Sequence, residues 1–405
     1  MKEVIRNRFL LMCAVVMMLV LSLFSSDIFL PALPDIVRQF GVTPSQGQQM
    51  LGHFLLGVAL MQLVYGPLSD SLGRKKLLIF GTSLFILATF AIIYAPNFKD
   101  LLALRLAQAV GASASIVLGR AIIGDLFSKE EAGKIFLTLF PIVGMSPALA
   151  PMIGGQISNL FGWHACFIFA GLFGVVLLFL TLTAVPETLP REKRNPLSAV
   201  DVMQGYIALL LSRRFWHYAL IPCIAYAVFY AYIAESPFLL LKQGVSNKVI
   251  GFTYLSLSLT YVTGNLIARW TMSKGLTLDK ALATGYLVFV AGGIVMFLTT
   301  HFAPNFYIGS ITAISIMTLG NGFLLPLGTS GAVTAVPHNA GSASGLMGAM
   351  QIGAAAIIAG IIGPLSGHNP QTFGMIVFVL AIAGFFIFQT TRRLSYRADL
   401  NRQLS

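Results

Sequence analysis

Twelve apolar stretches, each about 20 residues long, run through this 405-residue chain and are separated by short polar connections. A helix of that length crosses a hydrocarbon core of about 30 Å, because each residue adds about 1.5 Å. Charged residues make up 10% of the sequence, against about 25% in soluble domains. The pattern predicts an all-α polytopic membrane protein and excludes an ordinary soluble enzyme. We place the spans at 9–31, 46–69, 77–95, 101–123, 135–158, 163–185, 215–240, 248–272, 281–300, 305–329, 341–364 and 372–391.

The net charge of +12 comes from basic residues that concentrate in the loops on one side of the membrane. This placement is typical of a membrane protein and does not indicate a nucleic-acid-binding surface. Cytoplasmic loops carry an excess of Lys and Arg, and an even number of spans puts both ends of a chain on one side. We therefore expect both termini in the cytoplasm. The first apolar run has no small-residue cleavage site, so we interpret it as a retained span and not as a signal peptide. Of the 26 lysines and arginines, only four lie in loops on the opposite side: Arg38, Lys99, Lys242 and Lys248.

The longest predicted cytoplasmic connection divides the chain into two six-helix halves. We place the N-terminal half at 1–185, the central loop at 186–214 and the C-terminal half at 215–405. The loop contains LSAVDVMQGYIALLLSRR, whose apolar residues keep roughly helical spacing, so part of it is expected to lie as a helix on the membrane surface. The fifth span of each half is rich in Gly and Ala. Duplicated halves of this kind are a recurring transporter architecture.

Three ionisable side chains lie well inside the predicted spans: Asp27, Arg105 and Glu235. A charge in the bilayer is costly and usually has a function. Asp27 and Arg105 lie at similar depth, which favours a pair between them, while snorkelling of Arg105 to the interface is the alternative. Gln108 shares a helix face with Arg105. Glu235 lies two residues before Pro237 and could bind a cationic substrate, carry a proton or face a watery outer vestibule.

The connection between the second and third spans reads GPLSDSLGRKKLL. It resembles the signature loop of the major facilitator superfamily, with Ser71 in place of an arginine. Gly73 permits a tight turn. Asp70 can approach a helix N-terminus, and Arg74 can pair with an acidic group at another helix end, for which Asp125 is the candidate. We expect these residues to gate the transporter.

The fourth and fifth spans carry two further strings that resemble family patterns. LLALRLAQAVGA matches the superfamily pattern at Arg105 and Gln108. SPALAPMIGG resembles the antiporter motif and keeps Pro151, Gly154 and Gly155, although two of its glycines are replaced. Small residues at this spacing let helix backbones approach closely, and proline bends a helix. The resemblance implies a gating role for these three residues in a proton-coupled exporter, and ordinary close packing is the alternative.

Three strings resemble the Bcr/CflA-type drug-resistance transporters of the same superfamily. They are SSDIFLPALPDI in the first span, YIAESPFLL in the seventh and AGSASGLMGAMQIG in the eleventh. The resemblance therefore covers both halves. It implies a twelve-helix, proton-driven export carrier, which we expect to work as a monomer embedded in the lipid bilayer.

The energy source for uphill export is predicted to be the proton gradient. No phosphate-binding loop of the G-x-x-x-x-G-K-[ST] type and no nucleophile–base or metal-spaced cluster is visible, so we expect neither enzymatic activity nor a cofactor or metal. Asp27 beside Arg105 can exchange a proton as substrate arrives or leaves, and Glu235 is the other candidate for the coupled proton. The same residues, with Gln108, are the predicted substrate contacts. We interpret the chain as a proton:drug antiporter.

Two other functions stay open at this point. One is export of an endogenous metabolite, such as a siderophore or an amino-acid-related compound. A polar, anionic cargo would require more cavity cations than Arg105 alone, which mildly favours lipophilic or cationic drugs. The other is a passive channel or a membrane receptor, which would not respond as a saturable carrier to a collapsed proton gradient.

Overall fold

A computed structural model of the chain describes residues 8–127, 145–147, 149–190, 192, 194, 199–334 and 340–404, and its long elements are all helices. Most helix bounds lie within a few residues of the predicted spans, because the length of each apolar run sets the length of its helix. The helices are α1 Arg8–Asp27, α2 Leu33–Phe40, α3 Pro44–Leu72, α4 Arg74–Ile93, α5 Phe98–Leu126, α6 149–161, α7 His164–Ala184, α8 Ala199–Leu210, α9 Arg213–Lys242, α10 Asn247–Ser273, α11 Leu278–Phe302, α12 Tyr307–Thr334, α13 Ala340–Ser366 and α14 Pro370–Leu404.

Within the described residues, ten helical segments are long and apolar enough to cross a membrane. The prediction of an all-α polytopic membrane protein is confirmed. The two remaining predicted spans are 135–158, whose first ten residues lie outside the described residues, and 248–272, which corresponds to α10. Several serine and threonine residues, together with Asn265, interrupt the apolar sequence of α10.

The first span differs from the prediction because its helix stops early. The sequence predicted one helix over 9–31, whereas α1 ends at Asp27 and a short 3-10 turn, Leu30–Ala32, leads into α2. Pro31 explains the break, because it has no N–H to donate to the carbonyl of Asp27 four residues earlier. The turn places Asp27 at the end of a helix and inside the packed protein, since only 1% of its surface is exposed.

The chain forms two compact units. The first unit comprises residues up to Ser198 together with Ser246–Leu255, and the second comprises Ala199–Val245 together with Ser256 onward. In the first unit, α5 packs against α1, α3 and α4, and α7 packs against α1 and α4. In the second unit, α9 packs against α12, α13 and α14, and α11 packs against α12 and α14.

A helix is present in the central loop, where the sequence predicted one. It is α8, which belongs to the second unit and contacts α9 and α13. Val200, Met203 and Ile207 on this helix are exposed. Exposed apolar side chains of this kind support its predicted place at the membrane surface.

Candidate functional site

Arg105 is fully buried on α5 in the first unit. Its Nη1 donates hydrogen bonds to Oε1 of Gln108 at 2.5 Å and to the carbonyl oxygen of Ser25 at 3.3 Å. Its Nε donates to the carbonyl oxygen of Met50 at 3.4 Å. The guanidinium therefore points into the protein toward α1 and α3, and the snorkelling alternative is excluded.

Three aromatic rings surround the same guanidinium. Its central carbon lies 4.5 Å from the ring centroid of Phe29, 4.4 Å from that of Phe54 and 5.8 Å from that of Phe167. Ring faces attract a cation electrostatically, more strongly where water is excluded. These rings let the protein hold a buried cation without a direct acidic partner, and sequence reasoning missed them because phenylalanine is common in this chain, with 31 copies.

The carboxylate of Asp27 lies near Arg105 but does not contact it. Oδ1 accepts a hydrogen bond from Ser26 Oγ at 2.6 Å. The two charges attract each other electrostatically, yet they form no ion pair within 4.0 Å. The predicted pair therefore lacks a direct contact, and Nε and Nη1 of the guanidinium donate instead to backbone carbonyls and to Gln108. Asp27 Oδ2 and Arg105 Nη2 are buried and have no hydrogen-bond partner among the described residues.

Gln108 connects Arg105 to the neighbouring helix α4. While its Oε1 accepts from the guanidinium, its Nε2 donates to Thr89 Oγ1 at 2.8 Å. Thr89 in turn donates to the carbonyl oxygen of Phe85 at 2.5 Å. A buried chain of hydrogen bonds of this kind restricts its side chains to one geometry. The predicted contact residue Gln108 thus orients Arg105.

The small residues of α6 pack against the same site. The backbone of Gly154 leaves no room for a Cβ beside the carbonyl oxygen of Ile28, the residue after Asp27. A Cβ at Gly251, in the part of α10 that belongs to the first unit, would lie 2.5 Å from the carbonyl oxygen of Pro151. Gly155 is buried, and its carbonyl oxygen accepts from Ser158 Oγ at 3.4 Å. Close backbone approach is what this small-residue motif predicts.

A second group of predicted residues lies where α3, α4 and α5 end or begin. Arg74 Nη1 lies 2.6 Å from Asp70 Oδ1, and Arg74 Nε lies 3.2 Å from Asp125 Oδ2. The predicted pairing of Arg74 with Asp125 is confirmed. The Arg74 side chain is nearly buried, Asp70 is about half exposed, and Asp125 is less exposed than Asp70. The Arg74–Asp125 pair is therefore better shielded from solvent than the Arg74–Asp70 pair.

Two residues of the central loop complete this group, and sequence reasoning did not anticipate them. The backbone N–H of Arg74, the first residue of α4, donates to Glu187 Oε1 at 2.9 Å. Glu187 Oε2 also lies 3.4 Å from Arg194 Nη2. The carboxylate at the N-terminus of α4 is therefore that of Glu187 and not that of Asp70. Asp70 lies in the last turn of α3 and pairs with the side chain of Arg74. Gly73, at φ 97°, makes the turn, and a Cβ there would lie 2.6 Å from Glu187 Oε2.

Glu235 lies in the second unit and is fully buried on α9. Its Oε1 accepts from Ser366 Oγ at 2.9 Å and lies 2.9 Å from His368 Nδ1. The alternative in which Glu235 faces a watery vestibule does not fit this burial. The helix also runs through Pro237 without a break, and Ser236 Oγ donates to the carbonyl oxygen of Ile233 at 3.5 Å, the acceptor that Pro237 leaves unpaired.

The structure thus brings the predicted residues together in three groups. One is a buried polar site in the first unit, and one is an ion-pair cluster at helix ends of the same unit. The third is a buried carboxylate in the second unit. The groups are, in that order, Asp27, Arg105, Gln108, Pro151, Gly154 and Gly155; Asp70, Gly73, Arg74 and Asp125; and Glu235.

A buried charged site within a bundle of apolar helices is typical of a transporter. Residues 15–360 match the family model of the Major Facilitator Superfamily. The chain belongs to this superfamily. The predicted family is confirmed, and with it the prediction of a transport protein that is not an enzyme.

Curated relatives agree with this assignment over nearly the whole chain. The uncharacterized MFS-type transporter YdgK of Bacillus subtilis (strain 168) is 32% identical, with 92% of each chain covered. The bicyclomycin resistance protein homolog of Haemophilus influenzae is 26% identical over 92% of this chain and 94% of the relative. The resemblance to drug-resistance transporters therefore extends well beyond the short motifs.

A solved structure supports the fold. The bacterial homolog of the human lysosomal transporter Spinster, in an inward-facing and occupied conformation, superimposes with a TM-score of 0.77. It covers 95% of this chain and 97% of its own at 16% identity. At that identity the similarity concerns the fold alone, which is the major facilitator fold predicted from the sequence.

Proposed function

We propose that this chain is a proton-coupled exporter of small amphipathic molecules, with Asp27 as the coupling carboxylate. The observation that carries this proposal is the pair of unpaired atoms in the buried site of the first unit. Asp27 Oδ2 and Arg105 Nη2 are both buried and lack hydrogen-bond partners among the described residues. A buried polar group without a partner is costly, so this site favours a proton or a polar group of a substrate.

The coupling follows from the charge balance of the site. A proton on Asp27 neutralises the carboxylate, whereas its loss leaves a buried anion that needs a donor or a cation nearby. Substrate that binds at Oδ2 competes with the proton for the same atom. Arrival of the substrate releases the proton, and arrival of a proton releases the substrate. This exchange couples substrate transport to proton transport, so a proton gradient drives export.

Arg105 and Gln108 have the positioning role in this scheme. The guanidinium is fixed by the rings of Phe29 and Phe54 and by three hydrogen bonds. Its remaining nitrogen, Nη2, is therefore presented in a fixed direction. It provides one buried donor for a substrate carbonyl or hydroxyl, which suits a neutral or cationic drug better than a strongly anionic metabolite.

The direction and cargo are supported by the relatives. A homologous protein is named for bicyclomycin resistance, and the small-residue motif in α6 resembles that of exporters. We assign the protein to the bacterial inner membrane with cytoplasmic termini and place the Arg74 cluster on the cytoplasmic side. In that position the ion pairs around Arg74 act as a latch within the first unit that opens and closes during transport.

The test is proton release by the purified protein in weak buffer when substrate is added. A strain that lacks the gene is first grown against a compound panel, with and without iron limitation, to identify the cargo. Wild type should release protons on addition of that cargo, and Asp27→Asn should not, because a carboxamide can accept a hydrogen bond but cannot titrate. Asp35→Asn is the matched control, since Asp35 lies on α2 and its side chain is 42% exposed.

Proton release by Asp27→Asn equal to that of wild type would refute Asp27 as the coupling group. If the panel identifies only a metabolite as cargo, the result would favour the alternative, an exporter of an endogenous compound. A growth defect seen mainly under iron limitation would point the same way. Uptake that neither saturates nor responds to a collapsed proton gradient would exclude a coupled carrier altogether.

A further inference from the structure

The second unit holds a buried acid–base pair that the proposed coupling at Asp27 does not use. The carboxylate of Glu235 is fully buried, and its Oε1 lies 2.9 Å from Nδ1 of His368. Ser366 Oγ donates to the same oxygen at 2.9 Å. Glu235 comes from the last turns of α9, while Ser366 ends α13 and His368 lies in the turn before α14. The pair therefore joins three helices.

The backbone at His368 is held in an uncommon conformation. Among the described residues, His368 is the only one other than glycine with a positive φ, at 54°, and it follows Gly367 at 59°. Its N–H donates to Ser366 Oγ at 3.1 Å, and its carbonyl oxygen accepts from Lys242 Nζ at 3.1 Å. A left-handed conformation costs free energy for a side chain of this size and persists where surrounding contacts fix it. These contacts aim the imidazole at Glu235.

The imidazole lies between the carboxylate and the exterior. The side chain of His368 is 11% exposed, whereas that of Glu235 is not exposed at all. A small cavity of about 10 Å³ is lined by Tyr232, by Ser236, the chain neighbour of Glu235, and by Pro370, two residues after His368. That volume is close to the space that one water molecule requires. The imidazole is the exposed member of the pair, so it is the group through which a proton would be exchanged with the exterior.

We propose that Glu235 and His368 form a second proton-binding site, in which one proton is shared between Oε1 and Nδ1. With the proton bound, the pair is neutral overall, either as carboxylate and imidazolium or as carboxylic acid and imidazole. When the proton leaves from the exposed edge of the ring, the carboxylate remains as a buried anion beside a neutral imidazole. Removing the charged partner of a buried ion is strongly destabilising, so loss of the imidazolium charge weakens the hold of α9 on the turn between α13 and α14.

Histidine suits this role because its charge changes closer to neutral pH than that of any other unperturbed side chain. The other titratable groups on the surrounding elements are few within the described part of the chain. Lys242 on α9 donates to the His368 backbone, and Tyr232 on the same helix lines the cavity. His301 on α11 accepts from Gln371 of α14 only through its backbone carbonyl. Among these, His368 is the group in contact with the carboxylate.

The role of this site in transport rests on the proposed proton coupling, but proton binding by the pair does not. The test therefore uses no substrate. Spin labels on cysteines introduced at Leu241 and Thr372, both exposed, would report the distance between the end of α9 and the start of α14. The three native cysteines are replaced, and the full chain is measured in lipid nanodiscs at about pH 5.5 and about pH 8.5, on either side of the histidine range.

In wild type, we expect the distance distribution to shift to longer values and to broaden at the higher pH. Glu235→Gln should keep the short distance at both pH values, because a carboxamide never carries the buried charge. His368→Asn should also lose the shift, since asparagine tolerates the left-handed backbone and still donates from the position of Nδ1, but does not titrate. His301→Asn is the control for loss of a nearby imidazole and should shift as wild type does.

Absence of the shift in wild type would overturn the proposal, as would a wild-type shift in both Glu235→Gln and His368→Asn. Asp27→Asn should keep the shift, which separates the two proposals. A protein that shows the shift but exports no compound refutes the proposed function and leaves this proton site standing. Proton-coupled export by a protein without the shift refutes the site alone.

Discussion

Gly154 packs its backbone directly against the carbonyl oxygen of Ile28, one residue beyond the buried carboxylate of Asp27. A side chain at position 154 would overlap this oxygen. The contact explains why a small-residue motif on α6 and an acidic residue on α1 belong to one site. The backbone that carries Asp27 and the backbone of α6 are therefore in direct contact.

Gly154→Ala should therefore reduce export about tenfold or more. The added methyl group must push α6 away from the break after α1, and backbone atoms give way less readily than side chains. Growth protection against the identified cargo, corrected for the amount of protein in the membrane, is the measurement. Gly124→Ala on α5 is the control, because a Cβ there meets no atom within 4 Å. Equal activity of both variants would show that this contact has no role in transport.

The two acidic partners of Arg74 should contribute unequally to stability. Asp125 is less exposed than Asp70, and its Oδ2 also accepts from Thr188 Oγ1 at 2.7 Å. Exposed ion pairs contribute about 0–1 kcal/mol, whereas removing one partner of a shielded pair costs more because the other charge stays buried. Asp125→Asn should thus lower the melting temperature of the detergent-solubilised protein more than Asp70→Asn does. The reverse order would mean that the Asp70 pair is the main one.

Asp70→Asn should act mainly on transport. If Asp70 holds Arg74 during only part of the cycle, its loss slows cycling and leaves equilibrium binding of the cargo largely intact. Export rate and binding affinity, measured on the same preparation, separate the two effects. Lost binding together with normal export kinetics would argue against a gating role.

Replacement of Arg105 by lysine should inactivate the protein although the charge is kept. The planar guanidinium stacks near two rings and donates to three separate oxygens, and an ammonium group cannot reproduce this geometry. We expect at least a tenfold loss of export by Arg105→Lys with normal membrane insertion. Full activity of the lysine variant would show that only the charge matters.

The proposed orientation can be tested with reporter fusions. Reporters placed after Arg397 and within 187–195 should both read cytoplasmic, because the basic residues concentrate on that side. A fusion at Gly244, in the turn between α9 and α10, should read from the opposite side. A periplasmic signal from either of the first two would overturn the topology.

Much of the fold follows from the sequence because apolar length and hydropathy decide it. The predicted span 101–123 is α5 at Phe98–Leu126, and 215–240 is α9 at Arg213–Lys242. The early end of α1 was open to prediction as well, since Pro31 in the string SSDIFLPALPDI removes the donor for the Asp27 carbonyl.

The partners of the predicted site residues were harder to predict. Glu187 caps α4 from 113 positions away, and nothing local marks it among the polar residues of the central loop. His368 lies 133 positions from Glu235 and is one of six histidines. Only the packing of whole helices brings such pairs together. The same holds for Arg105, whose hydrogen bonds go to Gln108 and to the backbone carbonyls of Ser25 and Met50 and not directly to Asp27.

The contacts of Glu187 and Arg194 with Gly73 and Arg74 also bear on how this protein can be recombined. By position, both residues belong to the connection between the halves, yet by contact they belong to the first unit. A chimera that combines the first half of this chain with the second half of a relative should be joined after Arg194. A crossover at the end of α7 would separate the N-terminus of α4 from its own carboxylate, even though both donor proteins carry complete sets of helices.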